Sequence, residues 1–254
     1  MAALIVTDVQ AELRTEQIEY RHGDVLLMGY LAYDDSFSGK RPGVLVVHEW
    51  WGLNDYAKMR AEQLARLGYV AFALDMYGGG KTTTDPKTAG EWAGMLRSNR
   101  ALARARAQKG LDALKGRPQV DPGRIAAIGY CFGGTMVLEL ARGGAALRGV
   151  VSFHGGLGTP NPADARNIKG KVLVLHGADD AFESPAEIAA FQEEMRKAKV
   201  DWQMVYYGGA VHAFTNPDAG KAGLKGVAYN EKADRRSRLA MRNFFDEIFA
   251  NPID

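Results

Sequence analysis

Short, unbroken apolar runs alternate along this chain with longer stretches in which apolar residues recur every three or four positions. After a mixed N-terminal segment, "DVLLMGYLAY" reads as a strand entered through the turn "HGD" and left through the polar loop "DDSFSGKRP". A regular rhythm then begins. "GVLVVHE" has the continuous apolar character of a strand buried on both faces, and "NDYAKMRAEQLARLG" follows with an Asn or Asp cap, helical periodicity and a closing glycine. "YVAFALD" is the next strand, and the span from Asp85 to Gly116 supplies one long helix or two shorter ones. "RIAAIGY" leads into a helix from about Phe132 to Arg142. "LRGVVSFHG" and "KVLVLHG" follow, then a helix starting near Ser184 and Pro185, the strand "DWQMVYY", and an amphipathic helix over "EKADRRSRLAMRNFFDEIF".

Strands alternating with helices in this way predict an α/β fold whose mostly parallel central sheet is covered by helices on both faces. No linker rich in Pro, Gly or Ser divides the chain, and no repeat of fixed period appears. The chain therefore reads as a single domain.

In a parallel sheet, ligands bind beyond the carboxyl ends of the strands. The segments at those ends are "HEWWG", "DMYGGGK", "GYCFGG", "HGG", "HGADDAFES" and "YGGAVHAFTNP". Gly129-x-Cys131-x-Gly133, between a strand and a helix, has the form of a nucleophile elbow with cysteine in the usual serine place. A sulfur there sits at a helix N-terminus, where unpaired N–H groups favour the thiolate. The plainer alternative is a small apolar side chain filling a turn. A nucleophile needs a base, and the base an orienting acid. His212 after "DWQMVYY" supplies the first, and Asp179 and Asp180 after "KVLVL" compete for the second. His154 and His176, which end apolar runs, read as structural groups.

Composition narrows the field. With 254 residues, 46% apolar and 24% charged, the chain has the profile of an ordinary globular protein. Its formal net charge of +2 does not point to nucleic acid, and the basic cluster "NRALARARAQKG" reads as a solvated helix face. The N-terminus has no basic leader, and no run approaches the roughly 20 apolar residues of a membrane span. A cytoplasmic protein, monomeric or a small homo-oligomer, is the expectation. A single cysteine excludes an internal disulfide and a Cys-based zinc site, no H-E-x-x-H motif occurs, and neither metal nor cofactor is expected.

The segments "VVHEWWGLNDYAK", "AFALDMYGGGK", "IGYCFGG", "LVLHGADDAF" and "GGAVHAFTNP", in this order, resemble the dienelactone hydrolase family of the α/β-hydrolase superfamily. The resemblance covers residues 16–254 as a single domain and leaves residues 1–15 as an N-terminal extension. It implies the α/β-hydrolase fold and hydrolysis of a small-molecule carboxylic ester or lactone through a Cys-His-Asp triad of Cys131, His212 and Asp180. It also implies backbone oxyanion donors at Phe132 and Trp50, and a glutamate, Glu49, that modulates the resting thiol. On residue type alone, the plainer alternative for Glu49 is a cap for the helix starting near Asn54.

Where family members grip the substrate's carboxylate with two arginines, this chain has Gly79 and Asn216. Neither reproduces a bidentate guanidinium, so the expectation is weak or no preference for anionic lactones over neutral esters. Lys81 and Arg235 are candidate substitutes, and Trp51, Tyr77, Tyr130 and Phe214 candidate aromatic walls. Two other functions compete. "GGGKT" at 78–82 evokes a phosphate loop, but the motif's first glycine would fall on Asp75. A non-hydrolytic thiol sensor or small-molecule binding protein on the same fold would have no use for base, acid and elbow glycines together.

Overall fold

The computed structural model describes residues 12–250. Eight strands form one sheet: β1 (Leu13–His22), β2 (Val25–Asp34), β3 (Arg41–Val47), β4 (Val70–Leu74), β5 (Val120–Tyr130), β6 (Gly149–Phe153), β7 (Lys171–Gly177) and β8 (Trp202–Tyr207). Their order is β1-β2-β4-β3-β5-β6-β7-β8. β1 and β2 run antiparallel to their neighbours, and from β4 onward every pairing is parallel. The α/β architecture read from the sequence is the one observed.

Six helices complete it: α1 (Asp55–Ala65), α2 (Pro86–Ser98), α3 (Arg100–Lys115), α4 (Phe132–Arg142), α5 (Pro185–Ala198) and α6 (Glu231–Phe249). α1 and α6 close one face over Val44, Val46, Ile128 and Leu173. The other face, with Leu45, Val47, Ala127 and Val174, packs against α2 to α5. Successive strand residues project to opposite faces, so runs such as Val44 to Val47 serve both cores. Among the described residues, no helix is long and apolar enough to cross a membrane.

The pattern leaves one feature open, and another departs from it. The span from Asp85 to Gly116 is two helices, broken at Asn99, whose backbone leaves the helical region (φ −123°) and whose side chain accepts from the Leu102 N–H to start α3. β1 also begins at Leu13, inside the segment read as an extension. Its partly buried and exposed positions alternate, with Ile18 and Tyr20 turned to the core and charges outward. An edge strand of this kind carries too few apolar residues to stand out by pattern, and its charges suit an uncovered sheet edge.

The glycine-rich turn after β4 has a structural role. The Asp75 carboxylate accepts the N–H groups of Tyr77, Gly78, Gly80 and Met28 at 2.8–3.2 Å, tying the turn to β2. A loop whose N–H groups already hold a protein carboxylate has none left to cradle a phosphate. Removing that carboxylate strands several donors, each costing about 1–3 kcal/mol when buried. We expect Asp75→Ala to lower the melting temperature by roughly 5–10 °C in calorimetry; an unchanged midpoint would show that the turn holds itself.

Candidate active site

The sheet reverses its winding at β3, whose neighbours are β4 and β5. Val47 pairs with Gly129, so the segments leaving these two strands, with Glu49 on one and Cys131 on the other, emerge side by side. That is the crevice where a doubly wound sheet receives ligand. The Asp180 and His212 loops follow β7 and β8 farther along the same edge.

The turn from β5 into α4 is tightly constrained. Cys131 has φ 53° and ψ −117°, a conformation that a residue with a side chain rarely adopts. A Cβ on Gly129 would lie 2.0 Å from the Gly133 carbonyl oxygen, and one on Gly133 would lie 2.2 Å from that of Val47. Only glycine fits at either position, which is why both flank the cysteine. The Cys131 N–H is held by the Phe153 carbonyl at 3.0 Å and by His154 Nδ1 at 3.1 Å.

Three expected residues meet. Cys131 Sγ lies 3.1 Å from His212 Nε2, and His212 Nδ1 lies 2.8 Å from Asp180 Oδ2. Asp180 is buried and its other oxygen accepts the Phe182 N–H, whereas Asp179 is exposed, which separates the two aspartates. Burial disfavours an imidazolium at His212, but the sulfur and the Asp180 carboxylate outweigh it, and the ring is pushed up to about 10. Neighbouring His154 goes the other way. It is fully enclosed, and burial together with the His212 and Arg60 charges holds it well below the ordinary value. Its Nδ1 accepts from Cys131, so its Nε2–H donates to Thr215 Oγ1 at 2.7 Å. His48 is also locked, its Nε2 accepting from Met76 while Nδ1–H donates to the Glu49 carbonyl.

Glu49 is buried and contacts neither the sulfur nor the start of α1, which Asn54 caps. Its Oε2 accepts from Asn216 Nδ2 at 2.7 Å and its Oε1 has no partner. Burial, only partly offset by Asn216, His212 and Arg60, pushes its carboxyl up to about 7. Asn216, at a position where a substrate-binding arginine was sought, thus holds this glutamate.

A cavity of about 560 Å³ opens above Cys131 and His212. Trp50, Trp51, Phe182, Leu224 and Val227 give it apolar walls, the last two from the segment after His212, which returns to pair Val227 with His212. Trp51 is where it was expected. Five other expected pocket residues are elsewhere. Tyr130 points to the opposite face of the sheet, because it directly precedes Cys131 on a strand whose neighbours alternate. Phe214 is buried against Tyr207 and His154. Tyr77 packs behind the wall, its hydroxyl donating to the Trp50 carbonyl. Lys81 is exposed beyond the Asp75 turn, and Arg235 belongs to a different groove beside α1.

The cavity nevertheless carries cations, from positions the pattern did not point to: Arg97, Arg100 and Lys225. Arg97 lies 5.8 Å over the Phe132 ring. Arg100 makes one long hydrogen bond to the Gly158 carbonyl, at 3.4 Å, while its Nε and Nη1 are sealed from water without partners. Among the described residues neither arginine pairs with a carboxylate. The "NRALARARAQKG" cluster is therefore not a solvated face. Arg100 and Arg104 share the helical stripe of Ala103, Ala107 and Leu111, Arg104 bonds Glu139 and Asp164, and buried Arg106 donates to the Met76 carbonyl. That spacing was the available signal.

The family model of the dienelactone hydrolase family matches residues 27–249. This chain belongs to the dienelactone hydrolase family. Among solved structures it is similar to a dienelactone hydrolase-like promiscuous phosphotriesterase from metagenomic libraries, at 45% identity and a TM-score of 0.91, over 94% of this chain and 99% of that one. It is 31% identical to Protein usf of Aquifex pyrophilus over 79% of this chain and 87% of that protein. MGS-M1, an α/β hydrolase from a deep-sea metagenome library, shares the fold at 19% identity and a TM-score of 0.67, covering 93% and 98% of the two chains. Membership in the dienelactone hydrolase family makes the protein a carboxylic ester or lactone hydrolase with the α/β-hydrolase fold.

The Glu49 carboxyl also makes stability depend on pH. Its folded value lies above the ordinary 4.5, so stability is full below about 4.5 and is lost as pH rises through about 7. The penalty levels off near ~3 kcal/mol. Glu49→Gln, which keeps an acceptor for Asn216, is expected to melt higher than wild type at pH 8 and equally at pH 4.5. A pH-independent difference between the two would mean that this carboxyl ionises freely in the folded protein.

Proposed function

We propose that this hydrolase works through Cys131 as nucleophile, with His212 as proton carrier and Asp180 as its orienting acid. The observation that carries the reading is the short relay from Sγ through the imidazole to a buried carboxylate, built on the strained elbow. Sγ attacks the acyl carbon, and the carbonyl electron pair moves onto oxygen. Two N–H groups are offered as donors to that oxyanion. Phe132 is the first residue of α4, so its N–H has no acceptor within the helix, and the Trp50 N–H has no acceptor among the described residues. The tetrahedral intermediate collapses, its C–O bond breaks, and the departing alkoxide takes the proton from His212 Nε2. The resulting neutral imidazole accepts a proton from water as the water attacks the thioester. The second intermediate expels Sγ, the acid product leaves, and the thiolate and imidazolium are restored. A ring held up to about 10 carries that proton across the neutral range.

Glu49 in this reading does not clamp the thiol. It is a buried carboxyl beside the oxyanion loop, turned toward Asn216.

Cys131→Ala should abolish turnover of an aryl ester, and His212→Ala should reduce it by at least about 10². Full activity in Cys131→Ala would remove the thiol from the reaction, and unchanged turnover in His212→Ala would remove the base.

The unpaired guanidiniums revise the substrate expectation. We infer that the preferred ester or lactone carries a carboxylate, placed against Arg97 and Arg100 while its apolar body lies along Trp50 and Trp51. In a paired assay, Arg97→Ala combined with Arg100→Ala should raise KM for a carboxylate-bearing ester by about tenfold and leave a neutral ester within about threefold. Equal shifts for both substrates would contradict the assignment.

A further inference from the structure

A second concavity, of about 640 Å³, lies between α1 and α6. Its lining contains six arginines, Arg60, Arg66, Arg235, Arg236, Arg238 and Arg242, and no Asp or Glu. The net charge of the whole chain is only +2, so this is a local concentration of positive charge. One nearby carboxylate, Asp234, is already committed. It accepts from Arg60 at 2.7 Å, and Arg238 lies 3.7 Å from the same oxygen. Among the described residues Arg66, Arg235, Arg236 and Arg242 pair with no carboxylate. Like charges gathered at this density repel one another, and a bound anion relieves that repulsion.

A second, independent observation lies at the floor. Tyr130 is 2% exposed and lines the groove, yet its hydroxyl makes no hydrogen bond among the described residues. The sliver of surface left to this side chain includes its hydroxyl oxygen. Burial pushes the phenol up to about 12, which leaves it a proton donor at any physiological pH. A buried donor beside the Arg60 and Arg238 guanidiniums is suited to an oxyanion. Leu67 and Leu239, 41% and 57% exposed, flank the cations with apolar surface.

We propose that this groove binds a small phosphate-bearing molecule with an apolar portion, its oxyanions held by the Tyr130 hydroxyl and the unpaired arginines of α6. Phosphate geometry matches bidentate guanidinium donors, and several guanidiniums exceed what one carboxylate can satisfy. The volume suits a small ligand rather than a polymer. The site is separate from the reaction at Cys131, although it reaches the elbow from behind: Tyr130 adjoins the cysteine, and Arg60 donates to the Thr215 carbonyl, whose side chain holds His154. The proposal does not depend on the mechanism assigned to Cys131.

Isothermal titration of the full chain with pyrophosphate, and separately with hexyl phosphate, at near-physiological salt tests it. The expected result is one saturable site for each, weakened at least about tenfold by Arg235→Glu with Arg242→Glu, and severalfold by Tyr130→Phe. A Tyr130→Phe effect separates a seated oxyanion from diffuse attraction. No saturable heat up to about 1 mM ligand would overturn the proposal. So would equal weakening by the remote change Arg196→Glu. Binding to phosphatidate vesicles without binding of either soluble probe would also overturn it, since that pattern belongs to a membrane-facing patch.

Discussion

The positive φ of Cys131 is the constraint from which the site is built. A backbone bent this sharply costs about 1–3 kcal/mol and persists only where its surroundings fix it. Here Gly129 and Gly133 let α4 approach to within contact of β3 and β5, and the Phe153 carbonyl and His154 grip the cysteine's N–H. The same bend lifts Sγ clear of the sheet toward His212 and places it at the start of a helix. Any Cβ at the two glycines would push α4 off the sheet and take the sulfur out of reach of the imidazole.

Three histidines near that bend show how burial and partners set charge. His154 and His48 are enclosed among hydrogen bonds that fix each as a neutral ring, and both are driven down. His212, nearly as enclosed, is driven up because a carboxylate lies on one nitrogen and the sulfur on the other. In the mechanism proposed for Cys131, this imidazole holds the mobile proton while its neighbours act as rigid spacers. Glu49 completes the local balance. Its raised carboxyl limits the negative charge beside the proposed oxyanion site.

The sequence made the buried elements legible because β3 to β7 are apolar on both faces and each is followed by turn signals. β1 escaped because an edge strand alternates charge with occasional apolar residues. The strand-end rule singled out Cys131, Asp180 and His212, whose side chains meet, since these sit in loops directly after strands. It failed for Tyr130 because adjacent positions of a strand face opposite ways, and for Phe214 because a loop can turn its aromatic residues back into the core. Of the cavity's cations, Arg97 closes α2 and Lys225 lies in the segment after His212, while Arg100 opens the arginine-rich helix α3 that was assigned to water as a solvated face. In fact Arg100 and Arg104 lie on the stripe itself, and the narrow alanines leave room for their long side chains to reach past them.

The chemistry assigned to Cys131 has a covalent signature. Mixing the enzyme with an excess of an activated aryl ester, quenching in acid within the first turnover and digesting with protease should give one acylated peptide, containing Cys131, at near-unit stoichiometry. Wild-type burst kinetics with no acyl mass on that peptide, or with the acyl group on another residue, would contradict it.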